Sequence, residues 1–210
     1  MKIDITVLPE YKKMNNDILA SFLPEIRQDF RRGVSRLRAA LPKTVNHIIT
    51  SSPEYAALLG GELRLELGIP DAGRSIAGLI DIWSSNIQHN YTEPRIVRNS
   101  IVATFSASLF KIDFSDVLYT DYAKVYDTSR GYELPWLQWL LLEGNAPIIS
   151  DHNVVFGPSR YSRTGGALMK KGKSWSVPSS YAGTISDNWI TRSIQANQTI
   201  IEALLSKVFK

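Results

Sequence analysis

The run GGALMKKGKS, residues 165–174, holds the residue types of a phosphate-binding loop: glycines that let backbone N–H groups face a phosphate, a GK pair whose lysine reaches it, and a following hydroxyl. The spacing argues against that chemistry. Such a loop places four residues between its first glycine and the GK pair, whereas Gly166 and Gly172 enclose five. It also feeds a helix whose N-terminus holds the anion, and Trp175-Ser176-Val177-Pro178 does not extend one. The run reads instead as a basic turn. With Arg160 and Arg163 upstream, Lys170, Lys171 and Lys173 form a cationic patch suited to docking on an acidic partner.

Other chemistry is equally sparse. His47, His89 and His152 lie far apart, each without a ligand residue at metal-site spacing. The chain has no cysteine, which removes disulfides, thiolate metal sites and thiol nucleophiles. No serine sits in a GxSxG elbow. Asp113 and Asp116 have the spacing for an acid and base pair, and the simpler reading is that they solvate a loop. The glycosylation sequons at Asn90 and Asn197 have no meaning in a chain that is not exported. The expectation is therefore no catalytic residue, no metal and no cofactor. Arg27, Arg31, Arg32, Arg36 and Arg38 crowd one stretch that either tracks a phosphate backbone or forms a solvated helix face. A net charge of +4 does not by itself favour nucleic acid.

These residues need elements to position them, and an apolar content of 44% over 210 residues suffices for a sizeable core. Ile3, Ile5 and Val7 alternate with polar residues as in a half-buried strand that Pro9 ends. Met14, Ile18, Phe22, Ile26, Phe30, Val34, Leu37 and Leu41 recur every three or four positions, predicting helix. Pro24 predicts a kink or a second start, and Leu41-Pro42 the close. Ser52-Pro53-Glu54 opens a helix over residues 53–67 that Gly68 ends, with Gly60-Gly61 weakening it. Residues 76–126 read as strands: Ile80, Ile82 and Ser84 alternate with Asp81 and Trp83, as do Ile101, Ala103 and Phe105 with Val102, Thr104 and Ser106. Glu93-Pro94 is the expected hairpin turn, and a second hairpin joins residues 147–149 to 154–156.

Leu134-Pro135 opens a short helix with Trp136, Trp139 and Leu140 on one face, ending at Gly144. Its tryptophans fit a core or the centre of an interface equally well. Ser186 or Asp187 caps a last helix whose seam is Ile190, Ile194, Asn197, Ile201, Leu204 and Val208. The N-terminal segment has Asp4 and no apolar run of signal-peptide length. The longest apolar cluster, Trp136–Leu142, falls short of the roughly 20 residues that span a bilayer. The expected fold is α+β: an antiparallel sheet with packed N-terminal helices, a short aromatic helix and a C-terminal helix. Residues 1–210 form a single domain, with residues 1–50 either part of it or a helical arm.

The segments ELPWLQWLLLEG, SRTGGALM, WSVPSSYAGT and DNWITRSI, within residues 131–190, resemble the neck or tail-completion (head-tail joining) proteins of tailed bacteriophages. The resemblance implies a non-enzymatic virion protein that forms a ring between portal and adaptor proteins and the tail terminator or tube, assembling in the host cytoplasm. On that view Trp136, Trp139, Leu140 and Trp189 supply the apolar centre of a contact between copies. Arg160, Arg163, Lys170, Lys171 and Lys173 then steer it or meet the DNA passage. Alternatives are a baseplate or other tail component, a non-specific DNA-binding module, and a hydrolase whose site forms only in three dimensions.

Overall fold

The computed structural model describes residues 9–108, 111, 113–127 and 131–209, so the strand expected at Ile3, Ile5 and Val7 lies outside the described residues. The fold is α+β. Helices are α1 (Pro9–Thr50), α2 (Pro53–Gly60), α3 (Glu62–Glu66), α4 (Ala72–Ser85), α5 (Ser115–Leu118), α6 (Trp136–Leu142), α7 (Trp189–Ala196) and α8 (Gln198–Val208). Strands are β1 (Gln88–Val97), β2 (Ser100–Ser108), β3 (Val125–Asp127), β4 (Tyr132–Leu134), β5 (His152–Phe156) and β6 (Ala167–Lys171). They pair as three separate antiparallel two-stranded sheets, β1-β2, β3-β4 and β5-β6. The chain forms two compact units, one of Met1–Leu41, Gln88–Ser108 and Ile200–Lys210, the other of Pro42–Ile87 and Leu109–Thr199.

In the first unit the predicted apolar stripe of α1 winds around the helix. Each step of four residues advances a side chain by about 40°, so five such steps carry Val34 about 200° from Met14. Val34, Leu37 and Leu41 are accordingly buried, while Met14, Ile18, Phe22 and Ile26 are 51%, 46%, 55% and 38% exposed. Neither Pro24 nor Pro42 ends α1, which continues to Thr50. The missing N–H of each proline costs about 3 kcal/mol, and burial of Leu37, Leu41, Val45 and Ile48 along the helix outweighs it.

The β1-β2 hairpin lies on this part of α1. Arg27 Nε donates to the Pro94 carbonyl at 3.0 Å, and Arg31 makes two hydrogen bonds to Glu93, at 2.7 and 2.9 Å. The Arg38 guanidinium sits 5.4 Å over the Tyr91 ring, and Arg32 pairs with Asp29 at 3.3 Å. Most of the arginine-rich stretch is thus engaged within its own unit. The hairpin turns at Arg98 and Asn99, with Arg98 at φ 56°, because Val97 pairs Ser100. Pro94 lies inside β1 instead of at the turn. It sits at the irregularity between Thr92 and Arg95, a place where a strand tolerates a missing donor.

The second unit holds the aromatic core. Ser52 caps α2 by accepting from Tyr55 N at 3.2 Å. Helix 53–67 is split at Gly61, where a Cβ would come within 2.9 Å of the Ala57 backbone, and Gly68 at φ 68° ends it as expected. Residues 76–85, predicted as strand, belong to α4: Ala72, Ile76, Leu79, Ile80 and Trp83 all bury, and Asp71 Oδ1 caps the helix from Arg74 N at 3.2 Å. β5 pairs with β6, not with residues 147–149, and Ile149 instead bridges to Trp175. Asn188, not Ser186 or Asp187, caps α7; its Oδ1 accepts from Ile190 N and Thr191 N while Thr191 Oγ1 accepts from Asn188 N at 2.8 Å. Asn197 ends α7, so the expected seam is divided between two helices.

Candidate functional site

The second unit encloses a cleft of about 620 Å³. The C-terminal turn of α3 and the residues after it supply Leu65, Glu66, Leu67 and Gly68, the β3-β4 hairpin Tyr126, Asp127, Tyr132 and Leu134, and α6 Trp139; Ile149 and the β5-β6 hairpin with its connecting loop supply the rest. The β5-β6 register sets Val154 opposite Met169, which places both on the sheet face that lines the cleft. Three of its lining residues are exposed tyrosines, Tyr126, Tyr132 and Tyr161, at 61%, 42% and 75% exposure.

Besides its tyrosines, four titratable side chains line this cleft, Glu66, Asp127, His152 and Arg163, and each is held by a neighbour. Arg163 Nη2 meets Asp127 Oδ2 at 3.1 Å, neutralising that carboxylate. His152 Nδ1 lies 3.0 Å from the Ser150 carbonyl, which favours the tautomer carrying its proton on Nδ1. Glu66 is the exception in charge. Burial pushes its proton affinity above the ordinary glutamate range, a hydrogen bond with the Trp175 side chain pulls the other way, and Glu62, one turn earlier, adds like charge. Among the described residues it forms no ion pair.

A carboxyl whose folded pKa is raised holds its proton in the native state over a window where the unfolded chain has already lost it. Stability therefore falls as pH rises from the unfolded value towards the folded one, and the penalty persists above it. Glu66→Gln, which keeps an acceptor for Trp175, is expected to be more stable than the parent at about pH 7 and equal to it at about pH 3, where both states are protonated. Urea unfolding at the two pH values measures the difference.

The residues singled out from sequence fall into two groups. Trp136, Leu140 and Trp189 are each 0% exposed, which corrects the expectation that they form a contact between copies. Trp136 Nε1 donates to the Tyr122 carbonyl at 3.1 Å, and Trp189 stands edge-on to Trp83 at 5.6 Å. Their rings are spent on the protomer's own core. Trp139 departs from that face; it is half-buried, edge-on to Trp175 at 6.0 Å, and lines the cleft. Arg160 stacks at 4.8 Å over Tyr161 and donates to its hydroxyl at 2.6 Å. Lys170, Lys171 and Lys173 are exposed.

Sequence reasoning missed Glu66, Asp127 and the three tyrosines. The available signal was the clustering of Tyr119, Tyr122, Tyr126 and Tyr132 within a short stretch. Asp113 and Asp116 do not pair: Asp113 accepts from Ser115 N at 3.1 Å, and Asp116 Oδ1 is buried without a partner among the described residues. No cluster of three His, Asp or Glu side chains able to hold a metal occurs among the described residues, and no described helix is long and apolar enough to cross a membrane. No protein-family model matches the chain, and neither a curated protein nor a solved structure matches it.

Proposed function

We propose that this chain is a non-enzymatic structural subunit that associates with copies of itself and with neighbouring proteins, as a ring at the head-tail junction of a tailed bacteriophage. The observation that carries self-association is the uncovered apolar spiral of α1. Met14, Ile18, Phe22 and Ile26 expose large side chains along three turns of one helix, and contiguous apolar surface of this kind marks an interaction site. The cleft supports the same reading. Its exposed tyrosines are the residue type enriched at interface hot spots, and its one ion pair among the described residues, Arg163 with Asp127, leaves neither group free. The place in the virion, between portal and adaptor proteins and the tail terminator or tube, rests on the resemblance of residues 131–190.

Light scattering on the purified chain tests the proposal. The expected mass is a multiple of the 23.6 kDa protomer, and Ile18→Ser with Phe22→Ser is expected to shift it towards the protomer while leaving the circular dichroism spectrum unchanged. A monomer across the accessible concentration range would overturn self-association. Cryo-electron microscopy of an intact particle then places the subunit, and density for the chain in the baseplate, or nowhere in the particle, would overturn the neck assignment.

A further inference from the structure

The Glu66 carboxyl in the cleft and the lysine-bearing turn are complementary in charge, and neither forms an ion pair among the described residues. In the cleft Asp127 is already neutralised by Arg163, which leaves the Glu66 carboxyl as the one acid without a cation among the described residues. Glu62 on the same helix face repels it further. The same cleft is lined by Trp139, Tyr126, Tyr132 and Tyr161, and aromatic ring faces attract cations, most strongly where water is excluded. A half-buried carboxylate without a counter-ion is costly, so such a site favours a ligand that brings one. The volume of about 620 Å³ exceeds the need of a simple ion and suits a long basic side chain with the backbone that presents it.

The surplus cations are at the end of β6. Lys170, Lys171 and Lys173 are exposed, and none forms an ion pair among the described residues. They lie past Met169, the last residue of β6 that lines the cleft, and none of the three lines it. The β5-β6 register fixes that separation, with Lys171 opposite His152 and Lys170 opposite Asn153.

We infer that the basic turn of residues 170–173 in one copy enters the aromatic cleft of a second copy, where a lysine ammonium pairs with Glu66 among Trp139, Tyr126, Tyr132 and Tyr161. This rests on the self-association proposed above and names its polar contact. The two patches differ, so the contact is head-to-tail, and repeated around an axis it closes into a ring when its rotation fits. The charged pair would orient the approach of copies whose apolar surfaces supply the remainder.

A charge exchange in the full chain tests it. Glu66→Lys alone, and Lys171→Glu with Lys173→Glu alone, are each expected to weaken assembly about tenfold or more, as loss of one partner of a desolvated pair does. The chain carrying all three changes should recover most of the parent's assembly. Glu66→Gln guards against misfolding, because it keeps the acceptor for Trp175 and is expected to raise protomer stability while weakening assembly. A simply structural glutamate would not move those two readouts in opposite directions. Assembly of Glu66→Gln at the parent's strength, or no recovery in the combined variant, overturns the contact while leaving self-association intact. A monomeric parent overturns both.

Discussion

Trp189→Ala is expected to cost about 3–5 kcal/mol of stability, the range for emptying a buried tryptophan site. For a chain of this length that is a fall in Tm of roughly 10 °C. The indole is 0% exposed, and two independent interactions fix it. Its ring stands edge-on to Trp83 with centroids 5.6 Å apart, an arrangement that adds to area burial. Its Nε1 donates to Ser52 Oγ at 2.7 Å, and the same hydroxyl caps α2 by accepting from Tyr55 N and donates to the Ile49 carbonyl at 2.8 Å. Truncation therefore leaves a cavity and withdraws a donor from a capping residue. Trp189→Phe separates the two effects. It retains most of the ring contact and loses only the hydrogen bond, at about 1 kcal/mol. Thermal unfolding followed by far-ultraviolet circular dichroism reads both. A loss below about 1 kcal/mol for the alanine variant would mean that the indole is not enclosed.

Local chemistry was legible wherever a short motif was self-sufficient. Ser52-Pro53 announced the start of α2, Gly68 the stop after α3, and Pro135 and Gly144 the limits of α6, because caps and breakers act within a few residues. The alternation of Ile101, Ala103 and Phe105 in β2 was equally direct, since each of the three is half-buried while its neighbours Val102 and Thr104 are exposed. Ambiguity began where one pattern fitted two periods. Ile80, Ile82 and Ser84 alternate like a strand, yet Ile76, Leu79, Ile80 and Trp83 fall on one helical face, and burial of that face decided the outcome in α4.

The tertiary consequences were out of reach. The drift of the α1 stripe was present in its steps of four, but which arc meets the β1-β2 hairpin depends on Arg27 and Arg31 finding Pro94 and Glu93 more than sixty positions away. The cleft draws on Glu66, Asp127, Trp139, His152 and Arg163, which no sequence spacing links. Trp136 and Trp139 share one short helix in the sequence, and only packing sends one indole to the core and the other to the cleft wall.

Arg192→Ala is expected to be nearly as damaging as loss of Trp189, for an electrostatic reason. Its Nε and Nη2 each lie 3.1 Å from Glu54 Oε1, its Nη2 donates to the Tyr181 carbonyl at 3.1 Å, and its Nη1 donates to the Ala182 carbonyl and to Asp187 at 3.3 Å. One guanidinium thus ties α2, the segment before α7 and α7 itself. The Glu54 side chain is only 7% exposed against 30% for Arg192, so removing the arginine strands a desolvated carboxylate together with two backbone acceptors. Breaking such a pair costs about 3–5 kcal/mol. Its position in the first turn of α2 offsets a fraction of that, through the helix dipole. The reverse deletion is milder. In Glu54→Ala the guanidinium keeps Asp187, both carbonyls and some solvent, so the expected loss is about half as large. Replacing both at once, Glu54→Leu with Arg192→Met, removes the buried charges and should recover much of the loss. Urea unfolding of the parent, the two alanine variants, their combination and the apolar pair measures the coupling. Equal single losses that add within about 0.5 kcal/mol would show that the two groups act independently. The asymmetry is what distinguishes a buried acid that depends on its cation from a surface pair that either partner could leave.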